Sequence, residues 1–369
     1  MADAERKPKI LILTTPLYDY LADSLIIGLR ELYEENCVEY PRKDILYGDL
    51  ECVYGRGFTL WSKPILDVPR GPAAFEETDW VIYSNYRRQQ PVDWRLLVRN
   101  KDTAPRVIYV DGCDDNNVEP GVRPFFKREL FQAEPGVFST GFGIPDRLIR
   151  PLAIEKKSQL IQTHVQDEEF ASDSGYKFTE EKDYYDDLAR SLFGITMRKG
   201  GWDCMRHYEI MAAGTVVMFK NFDQKPAACA PQCPHIISYT DRKDFLAKTN
   251  RLLTDGKPNA EYMKVLQAQR EWLLANATCR MRAAQLLLQA QEFFANQPAE
   301  RMQPVPYHIL KRLRLRSFFL VEYAKLRAIT FVKLHPCADF FYYKLLKRLP
   351  GVGRFVSTVL MNERPNTPV

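Results

Sequence analysis

Between Phe193 and Asn221 the chain reads FGITMRKGGWDCMRHYEIMAAGTVVMFKN, and its polar residues are of the types that hold an anion. Arg198 and Lys199 offer cationic reach toward phosphate. Gly200 and Gly201 let the backbone approach a ligand closely and adopt positive φ. Asp203 is placed to cap a following helix, whose free N–H groups and positive dipole end favour negative charge. On that helix Arg206, Glu209 and Ala213 recur near one face. Arg206 suits a phosphate or the orientation of Glu209, and Glu209 suits a diol, from which a carboxylate accepts two hydrogen bonds. Two plainer readings stand beside this one. The basic-Gly-Gly turn also describes a surface turn with solvated cations. Arg206 and Glu209 also describe an ion pair worth roughly a few tenths of a kcal/mol on an exposed helix. His207 adjoins them but points elsewhere on the helical wheel. Trp202 either lies against a ligand or packs.

Such a site needs strands and helices to place it. Lys9–Leu13 is a short apolar run, 14–19 a loop, and 21–33 a helix with apolar residues at Leu21, Leu25, Ile26, Leu29 and Leu32; together they open an α/β unit. Trp80–Ser84 and Arg106–Val110 are further buried-strand runs. Val137–Arg150 is rich in Gly and turn residues and reads as an interdomain crossing, and 166–181 is polar with little pattern. A second α/β unit follows: 184–192 helical, 193–197 extended, 204–213 helical, 215–219 and 235–239 extended. Ala212, Ala213 and Gly214 give the tight exit from its central helix. Three helices are expected at 241–254, 259–275 and 277–296. The expected fold is α/β with two Rossmann-like domains facing a cleft: 1–155, then 156–300, then a basic helical extension over 301–369.

The segment RHYEIMAAGTVVMF resembles the donor-site helix and following strand of GT-B glycosyltransferases, particularly the bacterial-type enzymes that build surface polysaccharides. The preceding YYDDLARSLFGITMRKGGWDCMRHYE resembles the same region, and the match spans about residues 184–221. The resemblance implies hexosyl or related glycosyl transfer from a nucleoside-diphosphate sugar to a glycan or lipid-linked acceptor. It implies that Glu209 binds the nucleotide ribose and that Arg198, Lys199 and Arg206 contact the diphosphate, with Gly200, Gly201 and Trp202 shaping the pocket and His207 beside it. Lys156 and Lys157 are the counterparts available for a basic pair on an early loop of the second domain. The class uses helix dipole and basic side chains in place of a metal, so neither metal nor resident cofactor is expected.

An inverting transfer needs a base beside the acceptor hydroxyl. The carboxylates of first-domain loops are Asp19, after the first strand, and Asp111, Asp114 and Asp115 in VDGCDD. Asp111 leads because it stands at a strand end, where parallel sheets carry their chemistry; capping of the next element is the other use of such residues. Clustered carboxylates also suit a divalent cation holding a diphosphate, which would make the chain a metal-dependent GT-A-type transferase. A non-catalytic, glycosyltransferase-like binding module is a further alternative.

The 369 residues are 46% hydrophobic and 27% charged, an ordinary globular composition. Eight scattered cysteines read as reduced thiols. Cys229, Cys233 and His235 in CAPQCPH lack a second ligand pair and read as a structured loop. The charged N-terminus has no apolar signal core, which favours a cytoplasmic protein. Residues 301–369 hold 13 of the 52 Lys and Arg but 3 of the 47 Asp and Glu, so the tail is +10 and the rest −5. The 301–350 stretch mixes aromatics and cations at helical spacing. It fits an anionic membrane surface on its inner face, packing on the body, or a dimer face. The acidic body and the lack of a recognised module argue against nucleic acid.

Overall fold

A computed structural model describes residues 6–296 apart from 16–18, 48–75, 87–93, 101–103, 171–177 and 179. The basic tail therefore lies outside the described residues.

The first half begins with β1 (Ile10–Leu13), α1 (Tyr20–Tyr33) and β2 (Cys37–Tyr40). It continues through β3 (Trp80–Tyr83), β4 (Arg106–Asp111), β5 (Phe125–Lys127) and β6 (Val137–Ser139). All six strands are parallel, in the order β2-β1-β3-β4-β5-β6. β1 is buried at every residue, as expected of an interior strand whose sheet is covered on both faces. The order reverses between β1 and β3, and ligands of open α/β sheets collect beyond the carboxyl ends of strands at such a point.

The second half runs through β7 (Gln159–Ile161), α2 (Glu181–Arg190), β8 (Ser191–Met197), α3 (Met205–Ala212), β9 (Val216–Lys220) and β10 (Ile237–Tyr239). Its four strands are also parallel, ordered β10-β9-β8-β7. Gly194 in β8 allows α3 to sit close, since a Cβ there would lie 2.3 Å from Ile210 Cγ2. Gly214, at φ +73°, makes the turn from α3 toward β9, a conformation that glycine adopts without steric cost.

The chain closes with α4 (Arg242–Arg251), α5 (Ala260–Asn276) and α6 (Cys279–Ala295), where the three successive helices were expected. α6 follows the second half in sequence but packs in the first. Its Cys279, Ala283, Leu286, Leu287, Ala290 and Phe294 share one core with Ile10, Ile12, Leu25 and Leu29. Gly28 of α1 makes this contact, because a Cβ there would stand 2.0 Å from the Cys279 carbonyl oxygen. β2, β5, β6 and β7 are strands the sequence reading did not expect, and β6 occupies the start of the stretch read as a crossing. Each has three or four residues, too few for a periodic signal. Among the described residues no helix is long and apolar enough to cross a membrane.

Candidate functional site

The turn after β8 is where the two halves meet. Arg198, Lys199 and Gly200 are exposed and Gly201 is buried. A Cβ on Gly200 would lie 2.6 Å from Asp114 Oδ2, and one on Gly201 would lie 2.4 Å from Glu129 Oε1. Both glycines thus admit the first half to the loop. The amides of Trp202 and Asp203 donate to the Glu129 carboxylate at 2.9 and 3.0 Å. Arg128 Nη1 donates to Glu129 at 2.9 Å and to the Asp203 carbonyl at 2.6 Å. The anion expected over this turn is therefore supplied by the protein itself at residues 202–203. Asp203 is not the helix cap. Cys204 takes the flanking position, and the Asp203 carboxylate accepts from the Phe142 amide at 2.9 Å and the Tyr208 hydroxyl at 2.6 Å.

α3 brings a second group of residues together at the carboxyl edge of β8. Glu209 accepts from the Tyr184 hydroxyl at 2.7 Å and the Tyr185 hydroxyl at 3.2 Å. Burial raises its pKa, against the lowering effect of Tyr184 and Arg206. Arg206 lies near the Tyr184 hydroxyl and Glu209, which favour its charged form against burial, while its buried Nε has no hydrogen-bond partner among the described residues. Lys199 lies close enough to feel this guanidinium. Partial burial, and then repulsion by Arg206, hold the Lys199 ammonium below the ordinary lysine range. Arg206 thus carries an unsatisfied buried nitrogen with a second cation near it, an arrangement that favours an incoming anion. Tyr184 and Tyr185 were not singled out in the sequence. They open the matched segment in α2, and only the packing of α2 beside α3 gives them a role.

Two other residues of this segment face inward. His207 is fully buried, with Nε2 donating to the Trp202 carbonyl at 3.0 Å and Nδ1 accepting from the Thr196 hydroxyl at 3.0 Å. Burial pushes its pKa down to about 3, so the ring is neutral. It holds the loop and offers no atom to a ligand, a correction to its place in the donor set. Trp202 is 6% exposed, with its ring 6.1 Å from that of Phe219 and the Arg198 guanidinium 5.0 Å above it; it packs.

The first-half carboxylates separate clearly. Asp111 is fully buried at the end of β4, with Lys127 Nζ 2.6 Å away from the adjacent β5. It stands inside the fold as one side of an ion pair and not at a surface, which speaks against its choice as the leading base. Asp19 caps α1, accepting from the amides of Leu21 and Ala22 at 3.0 and 3.1 Å, and also accepts from Asn85 Nδ2. Asp114 has a half-exposed side chain, pairs with Arg128 and touches the Gly200 turn. Asp115 lies 3.7 Å from Lys127. The cations that face this acidic loop come from β5 and the residue after it, so its charge is met within the fold. Among the described residues no three His, Cys, Asp or Glu side chains are grouped to hold a metal.

Lys156 and Lys157 precede β7, and Lys157 Nζ donates to Thr215 Oγ1, just before β9, at 2.8 Å. That is the amino edge of the sheet, opposite the Arg198–Arg206 loop, so this pair is no counterpart for diphosphate contact. Cys229 and Cys233 are buried thiols. Cys229 Sγ donates to Glu129 at 3.2 Å, and burial pushes Cys233 up to about 11, the state of packed thiols.

No protein-family profile matches the chain, and no curated protein matches it. Among solved structures it is similar to a glycosyltransferase from Rickettsia africae ESF-5, at 10% identity and TM-score 0.44 over 79% of this chain and 100% of that one. It is similar to AviGT4, a glycosyltransferase involved in avilamycin A biosynthesis, at 13% identity and TM-score 0.45 over 79% and 99%. It is also similar to CalG4, the calicheamicin glycosyltransferase, at 9% identity and TM-score 0.34 over 79% and 99%. At these values the likenesses assign no role to any residue, and the roles below rest on the geometry just described.

Proposed function

We propose that the protein is a glycosyltransferase that moves a sugar from a nucleoside-diphosphate sugar to a hydroxyl of a glycan or lipid-linked acceptor. The observation that carries this reading is the buried, unsatisfied Nε of Arg206, with Lys199 near it, beside a carboxylate held by two tyrosines. A diphosphate would take the open donor on Arg206 and relieve the repulsion between the two cations. A ribose diol would take the remaining lone pairs of Glu209. The same cations would stabilise the diphosphate as charge develops on the leaving oxygen, and this chemistry calls for no resident cofactor. Two parallel α/β halves that touch at the loops beyond their strands suit a donor on one side and an acceptor on the other.

Asp114 is our choice of base for an inverting transfer, because it is the half-exposed carboxylate on the first-half loop beside the Gly200 turn. A second reading, a non-catalytic nucleotide-binding module, is favoured by the structural bonds that occupy Asp111 and Asp19. Titration against a panel of nucleoside diphosphates, followed by assay of nucleoside diphosphate release from the matching sugar donors, separates the two. Transfer predicts saturable binding and release. Glu209→Ala should weaken binding at least tenfold with the fold retained. Asp114→Asn should abolish release with binding kept. Unchanged affinity in Glu209→Ala would overturn the donor site, and binding without release would leave the module.

A further inference from the structure

A cavity of about 320 Å³ lies between the end of β6 and the α5–α6 pair, away from Arg206 and Glu209. Its size is at the lower end of the roughly 300–1,000 Å³ of small-ligand sites. Ser139, Thr140, Gln285 and Gln289 line it. None of these four side chains hydrogen-bonds another group among the described residues. Yet Thr140 is buried and the two glutamines are half-buried. Trp272, also half-buried, contributes an indole to the wall.

The lining also defines the charge of what it would take. Arg282 alone among the lining residues is charged. Its guanidinium is already engaged, with Nε donating to the Phe142 carbonyl at 3.2 Å and Nη2 to the Tyr208 hydroxyl at 3.4 Å. No carboxylate lines the space to hold a cation. What remains is two hydroxyls and the amides of Gln232, Asn276, Gln285 and Gln289, the first two of which already donate to backbone carbonyls. These groups can both donate and accept, and they stand next to an aromatic surface with an apolar body. A ligand matching this set is neutral, rich in hydroxyls that also donate and accept, and apolar on one face. A pyranose ring has those properties.

We propose that this cavity is a binding site for a neutral saccharide, separate from the donor centre on α3. It adjoins the interface between the halves, because Arg282 touches Tyr208, which in turn donates to Asp203. The site is defined by its own lining and does not require the transfer reading to hold.

The test is tryptophan fluorescence of the full chain titrated with maltotriose and with chitotriose. A saturable change in the millimolar range or below is expected with at least one of them, lost in Trp272→Phe. The double variant Gln285→Ala/Gln289→Ala should weaken it at least tenfold, while affinity for a nucleoside diphosphate stays within twofold of the parent. Absence of a saturable change with both sugars overturns the proposal. So does a change that survives both Trp272→Phe and the double variant. Failure of nucleotide binding in all forms would instead count against the donor site alone.

Discussion

Asp111 and His207 show how burial decides what a polar residue can do. Asp111 and Lys127 form a fully buried ion pair. Removing one charge strands the other away from water, which costs about 3–5 kcal/mol. Asp111→Asn is therefore expected to lower stability by an amount of that order in urea unfolding; an unchanged midpoint would show that the pair is not buried in solution. His207 makes a pH prediction. Its folded pKa of about 3 lies below its ordinary 6.5, so the unfolded chain takes up the proton first as pH falls. Its contribution is complete above about 6.5 and shrinks by about 1.4 kcal/mol per unit as pH falls toward 3. Asp23 has the opposite sign. Burial raises it from 3.8 to about 6, so it favours the fold below 3.8 and ceases to do so as pH rises through about 6. A comparison with His207→Gln isolates the histidine. Between pH 7 and 4.5 the parent should lose more melting temperature than the variant, and parallel losses would contradict the buried neutral ring.

At the scale of elements, two glycines seat the helices that matter. Gly194 lets α3 lie against β8, and Gly28 lets α6 cross onto α1. The Gly28 contact is with backbone, which cannot rotate away as a side chain can. Overpacking of this kind costs about 1–3 kcal/mol, sometimes more. Gly28→Ala should thus lower the urea midpoint and raise hydrogen exchange in α6 before α4. Equal protection in both helices would show that α6 is not held by this contact. α3 itself is short, at eight residues, and its order comes from its packing on β8, β9 and α2 rather than from intrinsic helix stability.

Across the whole molecule, the contacts that join the halves include α6 and the Arg128–Glu129 grip on residues 201–203. Glu129 is fully buried and accepts from two second-half amides, Arg128 and Cys229. Glu129→Ala would leave Arg128 and both amides short of a partner. It should cost about 3–5 kcal/mol and raise amide exchange at residues 202 and 203 while the β1–α1 core stays protected. Unaltered exchange there would show that the loop is held by other contacts. Because the same grip sets where Lys199 and Arg206 stand, the variant should also weaken nucleotide binding.

The elements with strong local patterns were legible from residue types alone. The apolar runs of β1, β3 and β4, the periodic helices α1, α4, α5 and α6, and the strand–turn–helix–strand order around Arg206 and Glu209 all follow from side-chain spacing, which is a local property. The short strands β2, β5, β6 and β7 were not, since three or four residues carry too little pattern. Neither was the fate of the charges. Whether a carboxylate is a base, a cap or one side of a buried pair depends on which cation a neighbouring strand delivers. Lys127 reaches Asp111 from β5, and Glu129 reaches the 202–203 amides from the other half of the molecule. Such partners are distant in sequence, and the strength of their interaction depends on exclusion of water. Only the packed tertiary structure provides both conditions.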